Sequence, residues 1–277
     1  MRRLRGKQER WLKRSCVILI TAALVGVLIW TYCVQPSLSR AFDKASRKEI
    51  HAMTIGGVPF GMPYRIYAPR DAGEGRSYPV FLWLCGSGQC GTENVKQARY
   101  DLGIVDTLIE KQADNDYRCI IVAPQIPSES LATNGELLAG YMALVEKVQR
   151  QYHADTARLY VAGFSMGGDE IWELLERYPE RIAAAVPICG GIGDPDAAEK
   201  FKDVPVWAFH GRLDLAYPVK TARAMVNALT AAGGNVRYTE YAFAGHVCWH
   251  LAYEEPELLP WIFSQTRHET ETGSGYI

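Results

Sequence analysis

The stretch Arg158-Leu159-Tyr160-Val161-Ala162-Gly163-Phe164-Ser165-Met166-Gly167-Gly168 decides the reading of this chain. Its first part is an apolar run of strand length, and its second part opens a helical pattern that continues to 177. Between them stands G-x-S-x-G, with glycines two residues before and two after Ser165. A strand that turns directly into a helix strains the residue at the bend and brings backbones close, so small residues are needed on either side. The bend lifts the serine hydroxyl above the sheet edge. Outside that context the same pattern reads as a tight turn with a helix-capping serine.

Working outward, apolar runs of strand length at 80–85, 119–123, 159–162, 183–188, 206–209 and 236–241 alternate with helix candidates at 95–112, 135–152, 166–177, 218–232 and 250–264. Alternation of this kind predicts an α/β fold with a mostly parallel central sheet and helices on both faces. Gly56-Gly57, between 52–55 and 58–60, signals a hairpin, and 64–68 reads as a further short strand, so an antiparallel N-terminal edge is expected.

A serine hydroxyl is a weak nucleophile at neutral pH. It needs a histidine to take its proton and a carboxylate to hold that histidine in the right tautomer. In this strand-turn-helix setting the chain order is Ser, Asp, His. Asp214 follows the strand at 206–209, where the C-terminal sheet edge presents it to the site. Asp194, Asp196 and Asp203 are rivals with weaker placement. His246 follows the last strand, and Gly245 lets its loop reach back over the serine. His250 is the runner-up base, at the start of a helix, whereas His210 reads as a brace for the Gly211 turn.

Acyl transfer develops negative charge on a carbonyl oxygen, and backbone N–H groups can stabilise it. The helix after Ser165 offers Met166. The loop after the strand at 80–85, Gly86-Ser87-Gly88-Gln89-Cys90-Gly91, offers Ser87 first and Gly88 second. That loop lacks the G-K-[ST] ending and the G-x-G-x-x-G spacing of nucleotide cradles. Trp83, Trp172 and Trp207 read as core residues, and Trp249 is expected near the site.

The 277-residue chain has 48% hydrophobic and 22% charged residues, which is globular composition. Its 30 basic and 31 acidic residues, net charge -1, give no electrostatic reason for a nucleic-acid partner. The N-terminus differs: MRRLRGKQERWLKR precedes an uncharged apolar run at 16–34. As a helix, those roughly 19 residues would span about 28 Å, close to bilayer hydrocarbon thickness. The segment 1–34 is therefore read as a cytoplasmic basic stretch and membrane anchor, with a cleaved signal peptide as the alternative. The expected division continues with a linker at 35–50, a catalytic domain at 51–267 placed outside the cytoplasm, and a disordered tail at 268–277. Cys85, Cys90, Cys119, Cys189 and Cys248 match no zinc spacing, so no metal is expected and no disulfide is assigned.

As a set these residues resemble a bacterial α/β-hydrolase family of peptidases and phospholipase/carboxylesterase-like esterases, over most of 60–267. The landmarks are Tyr64-Arg-Ile-Tyr-Ala-Pro69, Gly86-Ser-Gly88 with Gly91-Thr-Glu-Asn94, Ala123-Pro-Gln125, and Asp155 through Gly168. Later come Val186 to Gly191, Pro205 to Gly211 with Asp214, and Gly245-His246 with Trp249 and Tyr253. The resemblance implies a triad of Ser165, Asp214 and His246 that hydrolyses carboxylic esters without a cofactor. One departure stands out: the family has His-Gly before its oxyanion loop, and this chain has Cys85-Gly86. Three readings follow: a serine carboxylesterase for small-molecule or polymer-linked esters, a peptidase or amidase with the same triad, and an inactive binding module.

Overall fold

The computed structural model describes residues 47–55, 58–98, 103–113, 117–132, 135–191 and 193–267. The anchor or signal segment, the linker up to 46 and the tail at 268–277 lie outside them, as does the Gly56-Gly57 turn. Among the described residues no helix is long and apolar enough to cross a membrane.

Among the described residues, eight strands form one sheet: β1 (Arg47–Ile55), β2 (Val58–Tyr67), β3 (Val80–Leu84), β4 (Ile120–Pro124), β5 (Leu159–Phe164), β6 (Ala184–Ile188), β7 (Val206–Gly211) and β8 (Val236–Tyr241). Their order is β1-β2-β4-β3-β5-β6-β7-β8. β2 is antiparallel to both neighbours, and β3 through β8 are parallel. The chain leaves β3 for β4 on one side and returns to β5 on the other, which opens a crevice at the C-terminal ends of β3 and β5. The oxyanion loop candidate follows β3, and Ser165 follows β5.

Two corrections concern the edge. β1 begins at Arg47, so residues 47–50, read from the sequence as linker, are strand. The segments 58–60 and 64–68 are not separate: β2 runs unbroken from Val58 to Tyr67, paired along β1 from Ile55↔Val58 to Arg47↔Ile66. Unbroken pairing with β1 carries the strand through Pro59, Gly61 and Pro63, which local propensity would read as breaks.

The helices are α1 (Gly103–Ala113), α2 (Gly135–Tyr152), α3 (Met166–Arg177), α4 (Val219–Ala231), α5 (Trp249–Tyr253) and α6 (Leu258–Phe263). Each covers one sheet face with an apolar stripe; α2 buries Leu137, Leu138, Tyr141, Leu144, Val145 and Val148 at three- and four-residue spacing. Strand side chains alternate accordingly. Val80, Leu82 and Leu84 join α2, α3 and α4 in one core cluster, while Phe81, Trp83 and Cys85 join α1, α5 and α6 in the other. Full burial of each such large side chain stabilises the fold by about 1.5–3 kcal/mol.

Two helix candidates required trimming. The one at 250–264 is broken between Tyr253 and Leu258, where Pro256 lacks an N–H and disfavours a helical Glu255. The one at 95–112 contains a 3₁₀ turn at Lys96–Ala98 and α1 from Gly103, with 99–102 outside the described residues. Asn94, before the turn, takes φ 55° and donates its side-chain amide to the Tyr64 carbonyl at 3.0 Å.

Candidate active site

Ser165 stands at the bend between β5 and α3 with φ 55° and ψ −122°, a conformation that costs a non-glycine residue about 1–3 kcal/mol. The fold holds it there. Its N–H donates to the Ile188 carbonyl at 2.8 Å, and its carbonyl accepts from Asp169 N at 3.1 Å. The glycines of the motif are required by close approach: a Cβ on Gly163 would lie 2.6 Å from the Gly167 carbonyl oxygen, and one on Gly167 would collide with the Leu84 carbonyl on β3.

Three side chains from three different loops meet at this bend. The Ser165 hydroxyl is 2.9 Å from Nε2 of His246, and Nδ1 of His246 is 2.8 Å from Oδ2 of Asp214. Asp214 follows β7 and its side chain is fully buried, whereas the His246 side chain keeps 24% exposure toward the site. The second Asp214 oxygen, Oδ1, accepts backbone N–H bonds from Ala216 at 2.9 Å and Tyr217 at 2.8 Å. Both oxygens of the buried carboxylate thus accept hydrogen bonds. Nδ1–H of His246 then points at Asp214, and Nε2 presents a lone pair to the serine hydroxyl.

The other candidates separate from this trio. Asp194 caps a 3₁₀ turn by accepting from Asp196 N at 3.0 Å, and Asp196 and Asp203 are exposed. His250 stands on the far side of Trp249, with ring centroids 5.8 Å apart. Burial lowers its pKa from the usual imidazole range. Trp249 itself reaches the site: its ring meets the His246 ring edge-on at 6.0 Å and packs on Phe164 at 4.5 Å.

His210 does more than brace a turn. Its Nε2 lies 2.9 Å from the Tyr217 carbonyl and 3.2 Å from Asp214 Oδ2, with the ring wholly buried. Two further residues escaped the sequence reading. Tyr217 stacks on the His246 ring at 5.4 Å and directs its hydroxyl to Asp169, which also accepts the Gly191 N–H at 2.6 Å. Burial first, and then the bond to Asp169, push the Tyr217 phenol well up. A Cβ on Gly191 would run into the Tyr217 ring. The signal available was Gly190-Gly191 directly after a strand, where only a distant ring could demand glycine.

The loop after β3 packs against Phe164, the residue before Ser165. Gly86 allows this, since a Cβ there would sit 2.8 Å from the Phe164 ring. Ser87–Gln89 forms a 3₁₀ turn, and Gln125 at the end of β4 clamps it. The Gln125 amide donates to the Gln89 carbonyl at 2.8 Å and accepts from Asn94 N at 2.7 Å, while Gly91 N donates to the Ile126 carbonyl at 2.8 Å. Met166, the first residue of α3, has an N–H with no acceptor inside the helix. Beneath the loop, Cys85 is buried, and burial pushes its thiol well up, so it packs as a small neutral group. Its neighbour Glu170 is fully buried with a carboxyl held far above the usual range by burial, bonded to the Tyr141 hydroxyl at 3.3 Å.

Cys189 brings its sulfur within 4.8 Å of the ligand atoms of Asp214 and His246, a trio of metal-binding types. The donor set does not suit a metal: both Asp214 oxygens and both His246 nitrogens are engaged in the contacts above. The contact with the Cys248 thiol, and then burial, keep Cys189 protonated.

A family model described as Dienelactone hydrolase family matches residues 104–251, more than half of the chain. A crystal structure of a thermostable esterase superposes with a TM-score of 0.75 at 32% identity, covering 82% of this chain and 64% of that one. The acylaminoacyl peptidase of Pyrococcus horikoshii superposes with a TM-score of 0.61 at 14% identity, over 86% of this chain and 44% of that one, and shares the fold. In sequence, a bifunctional acetylxylan esterase/xylanase from Neocallimastix patriciarum is 32% identical over 71 residues, 26% of this chain and 10% of that protein. This chain spans less than two thirds of the esterase and a tenth of the xylanase. The family match, the sheet order and the residues gathered at the β5 bend agree, and the chain belongs to the dienelactone hydrolase family, with its α/β-hydrolase fold.

Proposed function

We propose that the protein is a serine carboxylesterase that works through an acyl-enzyme on Ser165. The observation that carries this reading is the unbroken hydrogen-bonded chain from Ser165 Oγ through His246 to Asp214, at 2.9 and 2.8 Å. In the first half-reaction, Ser165 Oγ attacks the ester carbonyl while His246 Nε2 takes the hydroxyl proton, and Asp214 stabilises the imidazolium that results. The backbone N–H groups of Ser87 and Met166 are the donors to the oxyanion, each contributing about 3–4 kcal/mol. His246 then delivers its proton to the departing alkoxide. In the second half, water gives a proton to His246 and attacks the acyl carbon, and Ser165 leaves as the recovered hydroxyl. Every group in this cycle belongs to the chain, and no cofactor enters it.

The substrate class is proposed as carboxylic esters, including esters carried on a polymer. Support comes from the esterase relatives and from the 24% exposure of His246 at the sheet edge. The catalytic domain is further proposed to stand outside the cytoplasm, held by the apolar segment at 16–34; membrane fractionation of the full chain against a chain lacking residues 1–34 tests this. Turnover of short p-nitrophenyl acyl esters and of aminoacyl amides, wild type against Ser165→Ala, tests the chemistry. Ester turnover that falls about 10⁴–10⁶-fold in the variant is expected. Amide turnover alone would move the reading to a peptidase, and no serine-dependent turnover of either would sink both.

A further inference from the structure

The proposed reaction leaves one imidazole beside the triad without a role. His210, near the end of β7, is fully buried; its Nε2 bonds to the Tyr217 carbonyl at 2.9 Å and lies 3.2 Å from Asp214 Oδ2. Its Nδ1 is also buried and has no hydrogen-bond partner among the described residues. The Tyr217 carbonyl can only accept, so Nε2 carries a proton and donates it. The ring is thus a fixed donor.

Asp214 and Tyr217 are the two ends of one turn. Asp214 Oδ1 receives N–H bonds from Ala216 and Tyr217, and the Tyr217 carbonyl is in turn bonded to His210. The His210 imidazole therefore anchors the far end of the turn whose first residue contacts His246, and lies 3.2 Å from Asp214 Oδ2. The Tyr217 side chain packs against the His246 ring.

We propose that His210 is a positioning residue of this site: its Nε2–H, bonded to the Tyr217 carbonyl and 3.2 Å from Asp214 Oδ2, holds the 214–217 turn so that Asp214 keeps His246 aligned on Ser165. It touches no substrate and acts through Asp214 and Tyr217. The inference rests on the triad reading, and the two can fail separately. If Ser165→Ala keeps turnover, the triad is wrong; if Ser165→Ala is dead while replacement of His210 changes nothing, only this inference falls.

The test compares His210→Leu, which keeps volume without a donor, with His210→Gln, whose amide N–H₂ reaches about as far as Nε2. Both are measured in the full chain, per active site titrated with a fluorophosphonate. The Leu variant is expected to lose about 10–100-fold in kcat with KM within about twofold, because a shift of about 1 Å in an aligned group has effects of that size. Its acid limb of kcat/KM against pH moves upward, since without the His210 N–H beside Oδ2 the Asp214 carboxylate holds the His246 proton more strongly. The other groups facing that pair stay in place: Cys189 and Cys248 thiols, and Asp169 through the Tyr217 hydroxyl. The Gln variant restores kcat to within about threefold and returns the limb to the wild-type position. A purely structural role would lower Tm and the titratable fraction without moving the limb. An unmoved limb in the Leu variant, or a Gln variant no better than Leu, overturns the proposal. Should both variants fail to fold, ¹⁵N NMR of the wild-type imidazoles at pH 8 decides it: a proton on Nε2 of His210 supports the assignment, and a proton on Nδ1 overturns it.

Discussion

The ring of Tyr217 lies 5.4 Å from the ring of His246, inclined by 32°, while the hydroxyl of Tyr217 reaches past it to Asp169. The His246 ring is thus packed against Tyr217 and met edge-on by Trp249. Ring packing of this kind restrains imidazole orientation without touching either nitrogen.

Removal of that packing should be visible in turnover. Tyr217→Ala is expected to lower kcat about 10–100-fold on a p-nitrophenyl ester, and Tyr217→Phe, which keeps the ring, to stay within about threefold of wild type. Equal losses in both variants would show that the bond to Asp169, not the ring, matters. Steady-state kinetics with both variants makes the distinction.

Gln125 joins the end of β4 to Gln89 and Asn94 in the loop after β3. Gln125→Leu keeps the volume and removes both bonds. The loop should then drift from Ser165, with kcat down about tenfold or more, because each oxyanion donor alone is worth about 10²–10³-fold. Wild-type kcat in this variant would show that the glycines and Phe164 hold the loop unaided.

Glu240 at the end of β8 bonds Arg223 at two points, 2.8 Å each, Arg212 at 2.6 Å and the Tyr238 hydroxyl at 3.1 Å. Arg223, then the other donors, hold its pKa down to about 2. A depressed folded-state pKa stabilises above the unfolded carboxyl range and loses that contribution as pH falls toward 2. Glu240→Gln is expected to cost about 1–2 kcal/mol at pH 7, with most of the difference gone by about pH 2–3. Urea unfolding at several pH values measures it, and a pH-independent difference would count against the charge.

Glu170 carries the opposite sign. Burial raises its carboxyl far above the usual range, so the folded chain keeps a proton that the unfolded chain releases. Stability falls as pH rises above the unfolded carboxyl range. Glu170→Gln, which needs no proton, should raise Tm by about 2–4 °C at pH 8 and by little at pH 4. A Tm gain of equal size at both pH values would refute the account.

The strand, bend and helix around Ser165 could be read from eleven consecutive residues, because everything the bend needs is local: an apolar run, two glycines and a helical pattern. The alternation of runs also determined the sheet class, since each element advertises its own buried face. That Asp214 and His246 would come next to Ser165 could be anticipated from chain order and strand ends. Breaks were less legible: the helix pattern at 250–264 hid the effect of Pro256, and the prolines of β2 suggested gaps that pairing with β1 overrides.

What only the tertiary structure decided is which distant groups complete the site. Gln125 meets Gln89 across 36 residues, Gly191 is glycine because of a ring at position 217, and His210 bonds the Tyr217 end of the Asp214 turn. None of these residues has a local pattern that announces its partner. The sequence by itself determined the elements and the order of Ser165, Asp214 and His246, because hydrophobic period and turn chemistry act over a few residues. The hydrogen bonds that hold those three in register exist only once the sheet brings loops from β3, β4, β5, β6, β7 and β8 to one edge.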